Sequence, residues 1–362
     1  MPQTSTADPR RKPHHFHTYF PHFRRIIGIA LGKSAFKMCK TVFEDVAMTD
    51  ETPTLQTSLV DMPRRIWINA IETICETEGF FETLGTRHFA GFLEKGDTLL
   101  VSFETIQGIH ALSDLAQPLG WDMARNHNWS HLCLASQGDT WFRAPEIYDY
   151  FDRLIDDGFF DEFETVLFYG AGPCGYAAAA YSVAAPGARV VAIQPQATLD
   201  PRITEWDNRF TEMRIADFTS RYGYAPDMLD AAEKATVIYD PREQLDAVHA
   251  ALFTRSNVQK LRMRFMGEAL QTDLLEMDLW EDLLLDAAAG TLTSDSFAKM
   301  YRARRNYRPY LRNLLKTLES EDRTALAILL CRDVSTRMNA RRFANKLREL
   351  EAGEDLSEAD QD

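Results

Sequence analysis

The turn Gly170-Ala-Gly172-Pro-Cys174-Gly175 gathers the residues of this chain best suited to chemistry. An apolar run, Thr165 to Tyr169, precedes it, and a small-residue run, Tyr176 to Ala185, follows. A strand, a tight turn and a helix in that order leave free N–H groups at the start of the helix, aimed at one spot. That spot suits a bound anion or a developing oxyanion equally well. Cys174 falls in the first helical turn, where the dipole favours a thiolate, and a thiolate is a good nucleophile. Asp240, which closes a later apolar run, and His249, on the following helical stretch, are the groups that could support it. Asp246 and His249, three apart, share one helix face, where a partly exposed histidine is expected.

The spacing Gly170-x-Gly172-x-x-Gly175 resembles the dinucleotide fingerprint of flavoproteins and nicotinamide-binding proteins, which implies NAD(P) or FAD at the turn. Its surroundings depart from that pattern. Gln194, with Pro195 and Gln196 next, stands where an acid would hold the ribose. α/β structure already precedes the turn, and the segment Pro195 to Lys234 far exceeds the roughly 2–6-residue loops of ordinary α/β units. A sulfonucleotide reductase would be an oxidoreductase of another kind, but there is no Ser-Gly-Gly-type loop, and the cysteine nearest the C-terminus is Cys331 in Leu330-Cys-Arg-Asp333.

The same turn read as a nucleophile elbow resembles the α/β-hydrolase family, especially where the next strand runs into Pro195-Gln196-Ala-Thr-Leu199-Asp200. The resemblance covers about residues 87 to 290. It implies a nucleophile, an acid and a histidine in that chain order, with Asp240 in the acid place. Gly172 falls where the serine should be, and Met266-Gly267-Glu268-Ala269-Leu270 occupies the region of the histidine, with no histidine beyond His249. The implied protein is a degenerate hydrolase that retains a site for a small anionic or acyl ligand at Gly170, Gly172 and Gly175. Its role would be binding or regulation, or weak acyl transfer by Cys174 supported by His249 and Asp240. Pro173, without an N–H, removes one donor from the turn.

Two neighbouring segments belong to the same expected site. Gly138-Asp139-Thr140-Trp141-Phe142-Arg143 would face the pocket from the opposite side, with Trp141 and Arg143 as an oxyanion donor or a clamp, or as a packed aromatic loop. Gln196 would touch the ligand. Asp200-Pro-Arg202 through Trp206-Asp207-x-Arg209 reads either as cap contacts with substrate or as an internally salt-bridged cap.

The elements that must position these groups alternate, which predicts an α/β fold with a mainly parallel sheet flanked by helices. A helix is expected over Asp61 to Glu78, an antiparallel pair over Arg87 to Glu94 and Thr98 to Glu104, and strands at Ser130 to Ser136, Val166 to Tyr169, Val190 to Ile193, Ala235 to Tyr239 and Val258 to Phe265. Helices are expected over Pro145 to Asp157 and Arg242 to Phe253. The predicted domain spans residues 62–290, with a cap-like insertion at 195–234, a helical C-terminal appendage at 291–348 and an acidic tail at 349–362. Phe297, Tyr301, Arg304, Arg305 and Arg308 form a basic stretch read as a solvated helix face.

Composition bounds the remainder. The chain has 362 residues, 45% hydrophobic and 26% charged, enough for a full core. Five scattered cysteines with no C-x-x-C argue against a disulfide frame or a metal site and fit a reducing, cytoplasmic setting. Residues 1–47 are basic and are read as a disordered leader or a mis-assigned start ahead of Met48. From Met48 onward 32 basic residues face 51 acidic ones. Such a body repels nucleic acid, and no apolar run is long enough to span a membrane. No cofactor is expected on the hydrolase reading.

Overall fold

The computed structural model describes residues 52–359, with side chains as far as residue 352. The reading of residues 1–47 lies outside the described residues. Eight strands form one sheet: β1 (Gly79–Leu84), β2 (His88–Leu93), β3 (Thr98–Thr105), β4 (Ser130–Ser136), β5 (Thr165–Ala171), β6 (Arg189–Ile193), β7 (Lys234–Tyr239) and β8 (Val258–Arg262). Their spatial order is β1-β2-β4-β3-β5-β6-β7-β8. β1 and β4 pair with β2 antiparallel, and every pairing from β4 through β8 is parallel.

The predicted hairpin of β2 with β3 is not formed, because β4 lies between them. Lys95-Gly96-Asp97 bridges the start of β4 instead of making a two-strand turn. The Gly96 N–H donates to the Asn128 carbonyl at 2.9 Å, and the Ser130 hydroxyl donates to the Gly96 carbonyl at 2.8 Å. A Cβ on Gly96 would stand 2.5 Å from the Asn128 oxygen, so only glycine lets the crossing chain lie this close. β1, which follows the helix Arg64–Glu78 without a break, was not anticipated.

Helices cover both faces of the sheet, as parallel strands require. On one face lies the helix Pro173–Tyr181, buried from Cys174 to Tyr181. Its run of alanines lets it press against the sheet while Phe151, Tyr222 and Leu229 close over it in the same core cluster. A helix apolar on all sides is stable only when enclosed in this way. The other face packs Trp67, Ile71 and Ile74 of the first helix against Phe89 and Leu93. Further along that face, Trp280, Leu283 and Leu284 pack with Leu167, Val191 and Ile193.

Residues 195–234, between β6 and β7, hold the short helices Pro201–Thr204 and Ala225–Met228. Helices Arg308–Ser320, Thr324–Arg337 and Arg341–Ala359 follow the sheet, with a core cluster of their own around Leu311, Leu315, Cys331 and Phe343. No helix among the described residues is long and apolar enough to cross a membrane. Four strands precede the glycine turn, and the order of the whole sheet is not the 3-2-1-4-5-6 order of a dinucleotide-binding domain.

Candidate functional site

β5 runs directly into the turn. Gly172 has φ 57° and ψ −123°, a left-handed conformation that disfavours any side chain, and Pro173 opens the helix at its first position. The Gly172 N–H donates to the Ile193 carbonyl at 2.8 Å, tying the turn to β6. The two outer glycines are there for packing. A Cβ on Gly170 would lie 2.2 Å from the Cys174 carbonyl oxygen, and one on Gly175 would lie 2.9 Å from that of Ile193. Gly172 is different, because nothing stands within 4 Å of where its Cβ would be. The place that the resemblance assigns to a nucleophile is therefore open and bare. In a nucleophile elbow the N–H of the next residue donates to the oxyanion, and here that residue is Pro173.

A cleft of about 410 Å³ lies over this turn. Ala171, Gly172 and Pro173 form one wall, Gln194 and Gln196 follow β6, Arg209 and Phe210 come from residues 195–234, and Asp246 and residues 268–272 complete it. Gln194 takes φ 47°, and its amide donates to Asp246 at 2.8 Å while accepting from the Leu270 N–H at 3.1 Å. Trp141 and Phe142 also have positive φ, of 49° and 54°. Backbone strain thus gathers at the ends of β4, β5 and β6, the edge of the sheet where α/β folds hold their sites. Arg209, the one cation lining the cleft, donates to Asp246 at 2.7 Å and to Asp207 at 2.8 Å. Glu268 adds a further carboxylate. An anion finds no uncompensated positive charge in the cleft.

The structure does not bring Cys174, Asp240 and His249 together as a relay. Cys174 is buried, and its thiol pKa is pushed well above the ordinary value by burial first and then by the carboxylates of Asp139 and Glu104. Asp240 accepts the backbone N–H groups of Arg242, Met266 and Gly267 at 2.9, 2.8 and 2.9 Å, so it orders the loops after β7 and β8.

His249, expected to be partly exposed, is fully buried beneath residues 195–234. Its Nδ1 accepts from the Ala197 N–H at 3.1 Å. That contact leaves the proton on Nε2, which donates to Asp207 Oδ2 at 3.0 Å. Both ring nitrogens are engaged, and neither can take a proton from a nucleophile.

Arg143 is not a free clamp. Its guanidinium donates to the carbonyls of Asp217 and Arg221 and to the Tyr176 hydroxyl, stapling residues 217–221 over the elbow helix. Trp141 donates to Gln196 Oε1 at 3.1 Å, and the pair braces the wall of the cleft. The segment Asp200 to Arg209 proves to be internally salt-bridged, Asp200 to Arg202 and Asp207 to Arg209. For Asp207, burial would raise the carboxyl pKa, but the hydrogen bonds from His249 and Arg209 outweigh it and hold the pKa far below the usual carboxylate range.

Sequence reasoning missed one polar cluster beside the elbow. The buried Ser102 hydroxyl donates to Glu104 Oε1 at 2.7 Å and lies 2.8 Å from His131 Nε2. The alternation of Ser102 and Glu104 within an apolar strand was the available signal. Among the described residues no group of three or more His, Cys, Asp or Glu side chains could hold a metal ion.

No protein-family model matches this chain, and no curated protein matches it. Solved structures do. Est1E from Butyrivibrio proteoclasticus is 13% identical over 56% of this chain and 96% of its own, with a TM-score of 0.36. The capsule O-acetyltransferase of Neisseria meningitidis serogroup A is 10% identical over 53% and 90%, with a TM-score of 0.35. An esterase of Pyrobaculum calidifontis is 14% identical over 56% and 80%, with a TM-score of 0.37. The chemistry of the site rests on the residues described above. The chain has an α/β-hydrolase-like fold, with glycine at the apex of its elbow and proline directly after it.

Proposed function

We propose that this chain is a degenerate α/β-hydrolase-like protein that binds a small neutral acyl-type ligand in the cleft over Gly172 and does not turn it over. One observation carries the reading: the elbow keeps its strained backbone, yet its apex has no side chain and the next residue has no N–H. The nucleophile and one of the two oxyanion donors are missing from a turn whose shape is otherwise intact. His249 is fully engaged by Ala197 and Asp207. Between the anionic and the acyl ligand, the charges support the second. Arg209 is balanced by two aspartates, and Ala171, Pro173, Phe210 and Leu270 supply an apolar surface.

The test is thermal unfolding of the full chain with a neutral phosphonate diester, with NADH, NADPH and FAD, and with inorganic phosphate. Saturating the cleft at ~100 times the dissociation constant should add roughly 2.7 kcal/mol of stability. A shift with the diester, together with ester hydrolysis no faster than a protein-free control, is the expected result. A shift confined to one dinucleotide would overturn the reading, as would hydrolysis that disappears in Cys174→Ala.

A further inference from the structure

A second surface, far along the chain from the cleft, carries its own chemistry. Six arginines, Arg302, Arg305, Arg308, Arg312, Arg341 and Arg342, stand exposed around the start of the helix Arg308–Ser320. None of the six makes an ion pair among the described residues, although ion pairs are plentiful nearby. Arg308 and Arg312 share a helix face with Leu315 and Glu319 by the i, i+4, i+7, i+11 spacing. Leu315 and Glu319 line a groove of about 520 Å³ together with Arg341 and Arg342. Arg302 and Arg305 line a neighbouring groove of about 680 Å³, floored by Tyr310, Leu311, Leu314 and Leu330. Arg308 donates to the Asn339 carbonyl at 3.4 Å, which sets the starts of the helices Arg308–Ser320 and Arg341–Ala359 beside each other.

Helix stability does not explain these cations. Arg308, Arg341 and Arg342 lie in first turns, where the helix dipole disfavours positive charge. Arg308, Arg312 and Lys316 also repeat like charge at i, i+4. At the far end of the first groove one cation serves two carboxylates, with Lys346 paired to Glu319 at 2.9 Å and to Glu349 at 3.2 Å. The cations without an ion pair gather at the arginine end.

The complement is present in the same sequence. Residues 349–362 contain seven acidic residues and no lysine or arginine. The chain's own tail cannot supply it. Glu349 is held by Lys346 and Glu351 by Arg332, and the helix Arg341–Ala359 is unbroken over 19 residues. At ~1.5 Å per residue its last turn ends roughly 27 Å from the arginines at its start.

We propose that the acidic segment 353–362 of a second copy docks on the arginine end of this surface, so that the chain self-associates through its C-terminal helices. Leu356 would meet the apolar floor while the carboxylates meet the guanidiniums. Reciprocal exchange of tails closes a two-fold dimer. A nucleic acid is the weaker fit, because the body from Met48 onward is strongly acidic.

Light scattering after gel filtration of the full chain tests this, with two charge-reversed variants, Arg312→Glu/Arg342→Glu and Glu354→Arg/Glu358→Arg. The parent should dimerise, and each variant alone should lose association by at least about tenfold. An equimolar mixture of the two variants should restore a dimer, which misfolding of either would not allow. A parent that stays monomeric at every concentration would overturn the proposal. So would association untouched by either reversal, or an arginine surface that binds single-stranded DNA and no second copy.

Discussion

The elbow and the buried cluster beneath residues 195–234 lie side by side, and each has what the other lacks. The elbow turns sharply at Gly172, which has positive φ, and is tied to β6, but its apex carries no side chain. The cluster has the side chains of a relay, Asp207 against His249 with Arg209 and Asp246 behind them, but both imidazole nitrogens are committed and the pair is fully buried. Possessing catalytic residue types is therefore not the same as possessing a site. What matters is which atom is left free, at what position, and with what charge around it.

The largest effect that would break this comparison is Gly170→Ala. The added Cβ would stand 2.2 Å from a helix carbonyl that cannot move without displacing the turn. We expect a loss on the order of 4 kcal/mol in urea unfolding. A loss under about 1 kcal/mol would mean that the elbow is not held as described.

Next comes Asp207→Ala, which removes one partner of a buried pair and leaves His249 without its acceptor. A cost of about 3 kcal/mol is expected, with ligand affinity in the cleft nearly unchanged. Loss of binding without loss of stability would instead place Asp207 at the ligand.

The pH dependence sharpens the structural role of the histidines. Burial, helped by Arg87, pulls His88 down to about 4, and burial pulls His131 down to about 3, so both are neutral in the fold. The unfolded chain protonates them near pH ~6.5 while the fold does not, so stability should fall as pH drops from about 6.5 toward 4. Replacing His88 by Gln should flatten the curve by up to one proton, about 1.4 kcal/mol per pH unit. Parallel curves for parent and variant would place His88 in contact with water.

A smaller effect is expected for Gly172→Ser, which meets open space but must adopt positive φ, at a cost of about 1–2 kcal/mol. It should leave ester hydrolysis at background, because Pro173 and the engaged His249 remain. A measurable rate would show that the missing hydroxyl was the sole defect. The smallest expected effect is at Cys174, which should not react with iodoacetamide at pH 7 in the folded chain.

Much of the sheet was legible because its strands are short apolar runs separated by turn residues. The predicted β4 matches residue for residue, and β5 to β8 differ only at their ends. The pairing of β2 with β3 was misread because Lys95-Gly96-Asp97 is good turn chemistry wherever the two strands finally lie. The better clue was that β3 is buried on both faces except at its ends, which suits a strand inside a parallel sheet. β1 escaped notice because no turn separates Gly79 from the helix before it. The basic stretch at Arg304 to Arg308 reads as a solvated face, and only the structure shows that six arginines around it make no ion pair among the described residues.

The sequence by itself determined what is absent at the elbow, since glycine at 172, proline at 173 and no histidine after His249 are chemical facts that no fold can change. It also determined the alternation of strands and helices, because that pattern is local. The tertiary structure alone decided that His249 faces Asp207 and not Asp240, that Arg143 is stapled to carbonyls, and that Arg209 is balanced by two aspartates. Those outcomes depend on residues 195–234 folding over the end of the sheet. Burial and charge pairing between segments far apart in the chain are set by packing, and local spacing does not encode them.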